Sequence, residues 1–338
     1  MIKFSIIIPV RAINDYVKES LENIKKLDYK NFEVFIITDG RDSYDPGWDK
    51  VKVLVSGNVG PGLKRNLGAK KATGDVLAFL DDDSYPRADW LTNAAKIFED
   101  SKIYALGGPA VTPDNAGYLE RMSGWLYSSV VMSSRINYRY IPSEKMLVDD
   151  YPSVNLFVRK KAFEEVSGFV TEFWPGEDTK LCLDLVKKYG RKFPYDPEVL
   201  VYHHRREIFK PHLKQISRYG QYRGQFARVF PQTSRIPIYF LPSLFFLGLT
   251  LGFFLIFLFP ILTPIYILSL IIYAVGVSSA ASRVAKIEKD HPEAFFDFFK
   301  GAFLTHIFYG ANFLIGIMKK PRLELKKFDN KTGNYVEG

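Results

Sequence analysis

The stretch from Ile236 to Ser282 contains no Asp, Glu, Lys or Arg over 47 residues and is dense in Leu, Ile and Phe. A bilayer crossing needs ~20 apolar residues, so this stretch is long enough to cross a membrane twice. The prolines of FPILTP, residues 259–264, supply a turn between the two crossings. A buried pair of soluble helices is the alternative, although even core helices usually present a polar face. We therefore predict a transmembrane hairpin over residues 236–282.

The charges around this hairpin predict its orientation. Residues 205–235 contain eight Lys or Arg and a single acid, Glu207, and further Lys and Arg follow the second crossing. Because basic residues favour the cytoplasmic side, both ends of the hairpin are predicted to be cytoplasmic. The basic stripe favours anionic lipid head groups over nucleic acid, since it lies beside a membrane segment. The N-terminal MIKFSIIIPV reads as a strand rather than a signal peptide, which predicts a multi-pass protein of the cell membrane with its first domain in the cytoplasm.

A third apolar stretch, residues 294–318, is interrupted by two charges and a histidine, and a basic tail, 319–338, follows it. An interfacial helix suits the basic tail better. A third crossing remains the alternative, because Gly301, Gly310 and Gly316 suit close contacts between helices.

The chain before these segments alternates between strand-like and helical patterns. Apolar runs at 4–10, 32–40, 51–57 and 76–80 are separated by helical patterns at 15–27 and 61–73. Such alternation predicts an α/β domain whose mostly parallel sheet is covered on both faces. We place this domain at residues 1–235 and regard 205–235 as its basic interfacial helical region.

Three consecutive aspartates, Asp81–Asp83, follow the apolar run VLAFL. If the chain stays extended here, Asp81 and Asp83 point to one side and Asp82 to the other. Two carboxylates aimed together suit Mn²⁺ or Mg²⁺, which commonly take carboxylates together with substrate phosphates. A solvated acidic loop is the structural alternative.

Two further segments contain residues suited to diphosphate binding or catalysis at the same site. Lys64 and Arg65 lie in the first turns of a helix after a glycine-rich loop, where cations and backbone amides can face a diphosphate. Glu177 and Asp178 open a later helix, where they serve either to cap the helix or to take part in catalysis. His203 and His204 end a strand and point opposite ways, so at most one of the two faces the site, and the sequence leaves open which one.

The segments IIIPVRAIN, FIITDG, GLKRNLGAKKATGDVLAFLDDD and GFVTEFWPGEDTKLCLDL resemble, in order and spacing, the inverting glycosyltransferases of family 2. The resemblance implies a GT-A fold, which is a Rossmann-like α/β catalytic domain. In this chain a C-terminal α-helical membrane region follows that domain. The resemblance also implies a nucleotide-sugar donor, UDP- or GDP-linked, and Mn²⁺ or Mg²⁺ as the cofactor.

The resemblance further implies roles for individual residues. The nucleotide-sugar contacts are Pro9, Arg11, Asp39, Lys64, Arg65, Asp81 and Asp82. The metal ligands are Asp83 and His203, and the catalytic carboxylates are Asp178, as the base, and Glu177.

The presence of a catalytic base indicates the kind of acceptor. A sugar hydroxyl must lose a proton before it attacks, whereas a polyprenyl phosphate is already an anion. We therefore expect transfer to a lipid-linked saccharide, with a polyprenyl-phosphate sugar synthase as the alternative. QISRY is similar to the Q-x-x-R-W signature of processive polysaccharide synthases, with Tyr219 replacing Trp. We interpret Gln215, Arg218 and Tyr219 as acceptor or diphosphate contacts. A polysaccharide synthase and a non-catalytic membrane scaffold are the remaining alternatives.

Overall fold

The structure is a computed structural model that describes residues 1–171 and 174–319, together with the backbone of 326–329 and 334–337. Up to residue 319 the described chain forms two compact units. The first unit consists of 1–111 and 141–204, and the second consists of 112–140 and 205–319. The predicted domain 1–235 therefore includes parts of both units. Most of the predicted basic tail, 319–338, lies outside the described residues.

The strands and helices have the following bounds. The strands are β1 (Phe4–Pro9), β2 (Phe32–Thr38), β3 (Val51–Val55), β4 (Val76–Leu80), β5 (Ser84–Pro86), β6 (Ala105–Gly107), β7 (Ala110–Val111), β8 (Met146–Val148), β9 (Asn155–Arg159), β10 (Phe193–Tyr195), β11 (Val201–His203), β12 (Lys326–Asp329) and β13 (Asn334–Glu337). The helices are α1 (Asp15–Lys25), α2 (Pro61–Lys71), α3 (Trp90–Phe98), α4 (Tyr118–Ser128), α5 (Val130–Ser133), α6 (Lys160–Glu165), α7 (Glu177–Tyr189), α8 (Lys210–Val229), α9 (Pro231–Ser234), α10 (Pro237–Leu258), α11 (Thr263–Ile287) and α12 (Ala294–Met318).

The main sheet has the strand order β3-β2-β1-β4-β9-β6-β10-β8. Strands β3, β2, β1 and β4 are parallel, whereas β9 runs antiparallel to both β4 and β6, and β8 runs antiparallel to β10. Strands β1, β2 and β4 are buried along their whole length, as expected of apolar strands in a sheet covered on both faces. The predicted mostly parallel α/β sheet is confirmed.

Local sequence explains how the helices next to the sheet begin and pack. The side chain of Asn14 caps α1 by accepting a hydrogen bond from Val17 N at 2.9 Å. Helix α2 begins at Pro61, whose missing N–H costs nothing in the first turn. Gly68 lets α2 lie directly on the sheet, because a Cβ there would come within 2.8 Å of the Ile7 side chain. Gly68 thus packs α2 against β1 and β2, and α1 begins a few residues after the carboxyl end of β1.

A second, smaller sheet has the order β5-β11-β7. Strand β11 runs antiparallel to β5, with His203 opposite Ser84 in the register. Because Ser84 directly follows the three aspartates, this pairing brings the end of β11 to the end of β4.

The second unit contains three helices that are long and apolar enough to cross a membrane, among the described residues. They are α10, α11 with the turn before it, and α12. A third of the most apolar part of α12 is buried within the protein, against 6% for each of the other two. Gly310 and Gly316 lie where α12 meets the backbone of Pro242 and Gln221, so these glycines do serve helix contacts.

Candidate active site

The three aspartates form a turn rather than an extension of β4. Strand β4 ends at Leu80, and the carbonyl of Asp81 accepts hydrogen bonds from Ser84 N at 3.2 Å and Ser84 Oγ at 2.8 Å. The expectation of an extended chain through these residues was therefore wrong. The turn nevertheless separates the side chains, since Asp82 Oδ2 accepts a hydrogen bond from Asn14 Nδ2 at 3.4 Å, away from Asp81 and Asp83.

Asp81, Asp83 and His203 form a cluster that can hold a metal ion. Each offers one ligand atom, and the three atoms all lie within 4.8 Å of one another. His203 Nε2 is 3.0 Å from Asp83 Oδ1, a contact that follows from the pairing of β11 with β5. Two carboxylate oxygens and one imidazole nitrogen form a donor set that fits Mn²⁺, and the carboxylates also fit Mg²⁺.

The structure decides which of the two histidines faces this cluster. His204 points away from it, with Nε2 2.9 Å from Glu19 Oε2 and its ring centre 4.7 Å from that of Tyr16. Because successive side chains point in opposite directions, His203 at the end of β11 faces the cluster, and His204, the next residue, faces α1.

Arg65 connects the aspartate turn to the start of α7. Its side chain is almost fully buried, with Nη2 2.6 Å from Asp81 Oδ1 and Nη1 2.9 Å from Glu177 Oε1. The guanidinium thus contacts two carboxylates that are 96 positions apart in the sequence. In the structure this buried guanidinium holds two acidic side chains in place. The position of Arg65 near a diphosphate stays a prediction.

Lys64 and Asp39 form a second ion pair at the carboxyl edge of the sheet. The buried Lys64 ammonium contacts the Asp39 carboxylate and donates a hydrogen bond to Val10 O at 2.5 Å. The backbone of Asp39 donates to Arg11 O at 2.9 Å, and the Arg11 side chain is exposed. Pro9 is the buried last residue of β1. The lysine therefore orients a partly exposed carboxylate beside the end of β1.

Glu177 and Asp178 are neighbours in sequence but have different environments. Glu177 is only 4% exposed, and burial together with the nearby Asp178 raises its pKa to about 7, although Arg65 opposes the rise. Asp178 is only half-buried and accepts hydrogen bonds from Ser153 N at 3.3 Å and Thr179 N at 2.8 Å. Of the two carboxylates, Asp178 is the one with surface open to a substrate.

Asn66 has a role that the sequence did not reveal. Its Nδ2 donates to Phe169 O at 2.8 Å, and its Oδ1 accepts from Phe169 N at 2.9 Å. These two hydrogen bonds fasten α2 to the segment that precedes α7. A buried asparagine in the first turns of a helix was the available signal, because asparagine is a poor helix former without a specific partner.

Comparison with known proteins agrees with this architecture. Residues 5–167 match the protein family described as "Glycosyl transferase family 2". These residues are a glycosyltransferase family 2 domain. The resemblance inferred from the sequence motifs is thereby confirmed.

Curated relatives of this glycosyltransferase domain are distant. The "Pre-mycofactocin glycosyltransferase" of Mycobacterium tuberculosis is 27% identical over 225 residues, which cover 64% of this chain and 46% of that protein. The "Glucosyl-dolichyl phosphate glucuronosyltransferase" of Haloferax volcanii is 22% identical over 218 residues, covering 60% of this chain and 69% of that one. The chain thus spans about half the length of the mycobacterial relative.

A solved structure shares the fold of the glycosyltransferase over nearly the whole chain. It is a mannosyltransferase from Pyrobaculum calidifontis in complex with GDP-Man and Mn²⁺. The TM-score is 0.53 at 16% identity, and the match covers 95% of this chain and 88% of the other. This similarity shows the fold, a GT-A-like α/β domain followed by C-terminal helices.

The three residues predicted to contact the acceptor all lie on α8, in the second unit. Gln215 links two tyrosines, because its Oε1 accepts from Tyr127 OH at 3.1 Å and its Nε2 donates to Tyr219 OH at 3.0 Å. Arg218 and Tyr219 are both exposed. Their role in the glycosyltransferase stays a prediction.

Proposed function

We propose that this chain transfers a sugar from a nucleotide-sugar to a hydroxyl of a lipid-linked saccharide at a membrane, with inversion at the anomeric carbon. One observation carries the proposal. Arg65 contacts both Asp81, in the candidate metal cluster, and Glu177, which precedes the half-buried Asp178. A single buried side chain therefore connects the residues needed for the leaving group with the residue suited to activate the nucleophile.

On the donor side, Asp83 and His203 would hold the metal ion, with Asp81 beside them in the same cluster. When bound, Mn²⁺ or Mg²⁺ neutralises negative charge on the leaving nucleoside diphosphate. Asp39, oriented by Lys64, binds the nucleoside part of a UDP- or GDP-linked donor. Pro9, Arg11, Arg65 and Asp82 complete the donor site, with Arg65 acting through the carboxylates that it holds. The GDP-Man and Mn²⁺ bound by the Pyrobaculum calidifontis protein support a nucleotide-sugar donor and a divalent metal ion, but not the choice of individual residues.

On the acceptor side, Asp178 removes the proton from the attacking hydroxyl. The backbone N–H groups of Ser153 and Thr179 each donate a hydrogen bond to one of its two oxygens, which orients the carboxylate. Glu177 stays enclosed against Arg65 and positions the start of α7. General base catalysis of this kind contributes ~10²- to 10⁴-fold. A single displacement from the face opposite the leaving group inverts the configuration.

The acceptor is a lipid-linked saccharide, and the protein acts at a membrane. The three apolar helices and the name of the Haloferax volcanii relative, which includes a dolichyl phosphate, support this assignment. Gln215, Arg218 and Tyr219 on α8 contact the acceptor or its diphosphate. The excess of Lys and Arg outside the apolar segments supports a catalytic domain on the cytoplasmic face.

The test uses the full chain purified in detergent, a panel of UDP- and GDP-sugars, and a membrane lipid extract as the source of acceptor. We expect release of nucleoside diphosphate that requires Mn²⁺ or Mg²⁺, is abolished by EDTA, and accompanies an inverted linkage to a lipid-linked saccharide. Transfer to bare polyprenyl phosphate alone would instead identify a polyprenyl-phosphate sugar synthase. Absence of metal-dependent release with every donor would identify a non-catalytic scaffold.

A further inference from the structure

Helix α12 lies side by side with α8 over most of their length. The contact pairs, in order along both helices, are His212–Thr305, Gly220–Tyr309, Gly224–Phe313 and Arg228–Ile317. His212 Nε2 is 3.0 Å from Thr305 Oγ1, and Arg228 Nη1 donates to Ile317 O at 2.9 Å. Residue numbers increase together in these pairs, so the two helices run parallel. If α12 crosses a membrane, α8 must cross it as well.

Helix α8 is charged along its whole length. Its 20 residues extend ~30 Å, which is about the thickness of the hydrocarbon core of a bilayer. They contain no Asp or Glu, and the cationic residues are Lys210, Lys214, Arg218, Arg223 and Arg228. Arg218 lies near the middle of the helix and Lys214 one turn before it, and both are exposed. Because cations near the centre of a crossing helix are costly in hydrocarbon, α8 is unsuited to cross.

Helix α12 packs against one end of the apolar hairpin formed by α10 and α11. Ser243, in the second turn of α10, donates from Oγ to Gly310 O at 3.0 Å. Residues 277–284, near the end of α11, share an apolar core with residues 294–302 of α12. Ile261, in the turn at the other end of the hairpin, is 84% exposed. Helix α12 therefore contacts the hairpin where the chain enters and leaves it.

We propose that α8 and α12 lie together in the head-group region of the membrane, and that only α10 and α11 of the described helices cross it. There the cations of α8 meet anionic head groups, and the apolar residues of α12 meet the acyl boundary. The apolar composition of α12 also serves packing, since a third of its most apolar part is buried within the protein. Both ends of α12 then lie on the same side of the membrane.

The first experiment compares the two ends of α12 in cells. Lys289→Cys lies before α12 and Lys319→Cys directly after it, and both positions are exposed. The native Cys182 is fully buried and stays in place. Both introduced cysteines should react with a membrane-impermeant maleimide from the same side, which is the cytoplasm in the proposed orientation. Ile261→Cys, in the turn of the hairpin, is the reference for the opposite side.

The second experiment tests whether α8 lies outside the hydrocarbon. Lys214→Cys is compared with Leu251→Cys, which lies in the middle of α10 and is 55% exposed in the protein. Maleimide reacts with the thiolate, a form that hydrocarbon disfavours. In permeabilised membranes without detergent, Lys214→Cys should react within about threefold of the rate of Lys289→Cys, and Leu251→Cys at least about tenfold more slowly. Rates are normalised to the amount of each variant in the membrane fraction.

Two results would overturn the proposal. Labelling of Lys319→Cys and Lys289→Cys from opposite sides would show that α12 crosses, and labelling of Lys214→Cys as slow as that of Leu251→Cys would place α8 in hydrocarbon. The proposal rests on the membrane association in the proposed function, but not on its donor, acceptor or base. Recovery of the wild type in the soluble fraction would contradict that association, an outcome distinct from either labelling result.

Discussion

The acidic turn after β4 gives its three carboxylates different partners. Asp83 contacts His203, Asp81 contacts Arg65, and Asp82 accepts a hydrogen bond from Asn14. Mutual repulsion among adjacent carboxylates is reduced because each one has a donor or cation of its own. Position in the turn, rather than the number of negative charges, therefore decides what each aspartate does.

This arrangement predicts unequal effects for two matched substitutions. Asp83→Asn removes a charged ligand from the candidate metal cluster, so Mn²⁺-dependent binding of UDP or GDP should weaken by at least about tenfold. Asp82→Asn makes the same chemical change at a donor contact that is not a metal ligand, so it should weaken binding by less than about threefold, and to the same extent with and without Mn²⁺. Calorimetric titration of both variants, with and without Mn²⁺, measures the difference. Equal losses would argue against an assignment of the metal to Asp81, Asp83 and His203.

At the scale of elements, the crossing of α8 and α12 depends on glycines. A Cβ at Gly224 would collide with the backbone oxygen of Phe313, and one at Gly316 would collide with that of Gln221. The two helices therefore approach each other along backbone surfaces, as small residues allow in helix pairs within membranes. Tight packing of this kind makes α8 and α12 one rigid element of the second unit.

Adding one methyl group at this crossing should be costly. Gly224→Ala should lower the stability of the second unit by about 1–3 kcal/mol, because an overpacked contact forces the backbones apart. Gly248→Ala, in α10, is the control, since a Cβ there meets nothing within 4 Å. Thermal unfolding in detergent should show a lower melting temperature for Gly224→Ala and an unchanged or slightly higher one for Gly248→Ala. A similar melting temperature for both would contradict the close crossing.

For the whole molecule, the sequence predicted what local pattern determines. The bounds of β1, β2, β4, α1 and α2 follow from apolar runs and helix starts, and the observed elements end within about two residues of them. The turn at Pro260–Leu262 between α10 and α11 was also predictable, because prolines interrupt an otherwise uniform apolar stretch.

Pairings between distant segments were not predictable. The insertion of β9 between β4 and β6, with its reversed direction, depends on contacts between residues far apart in the sequence. The ion pairs of Arg65 with Asp81 and Glu177 have the same origin. Sequence motifs indicated that these side chains belong to one site, but they could not show that Arg65 is enclosed by carboxylates.

Membrane orientation is testable with the single native cysteine left in place, because Cys182 is fully buried. Ile261→Cys, in the exposed turn between α10 and α11, should react with a membrane-impermeant maleimide added outside intact cells. Lys289→Cys, after α11, should react only once the membrane is permeabilised. The reverse pattern would place the glycosyltransferase domain on the other side of the membrane.

The central claim, that Asp178 acts as the base of a metal-dependent transfer, is tested most directly by one comparison. The test compares Asp178→Asn with the control Asp184→Asn. Both residues lie on α7, and Asp184 forms an ion pair with Lys180 of the same helix. With the donor and lipid-linked acceptor found in the screen, Asp178→Asn should keep Mn²⁺-dependent donor binding and lose ~10²- to 10⁴-fold in the rate of sugar transfer. Asp184→Asn should transfer at nearly the wild-type rate. Transfer by Asp178→Asn at the wild-type rate would contradict the account.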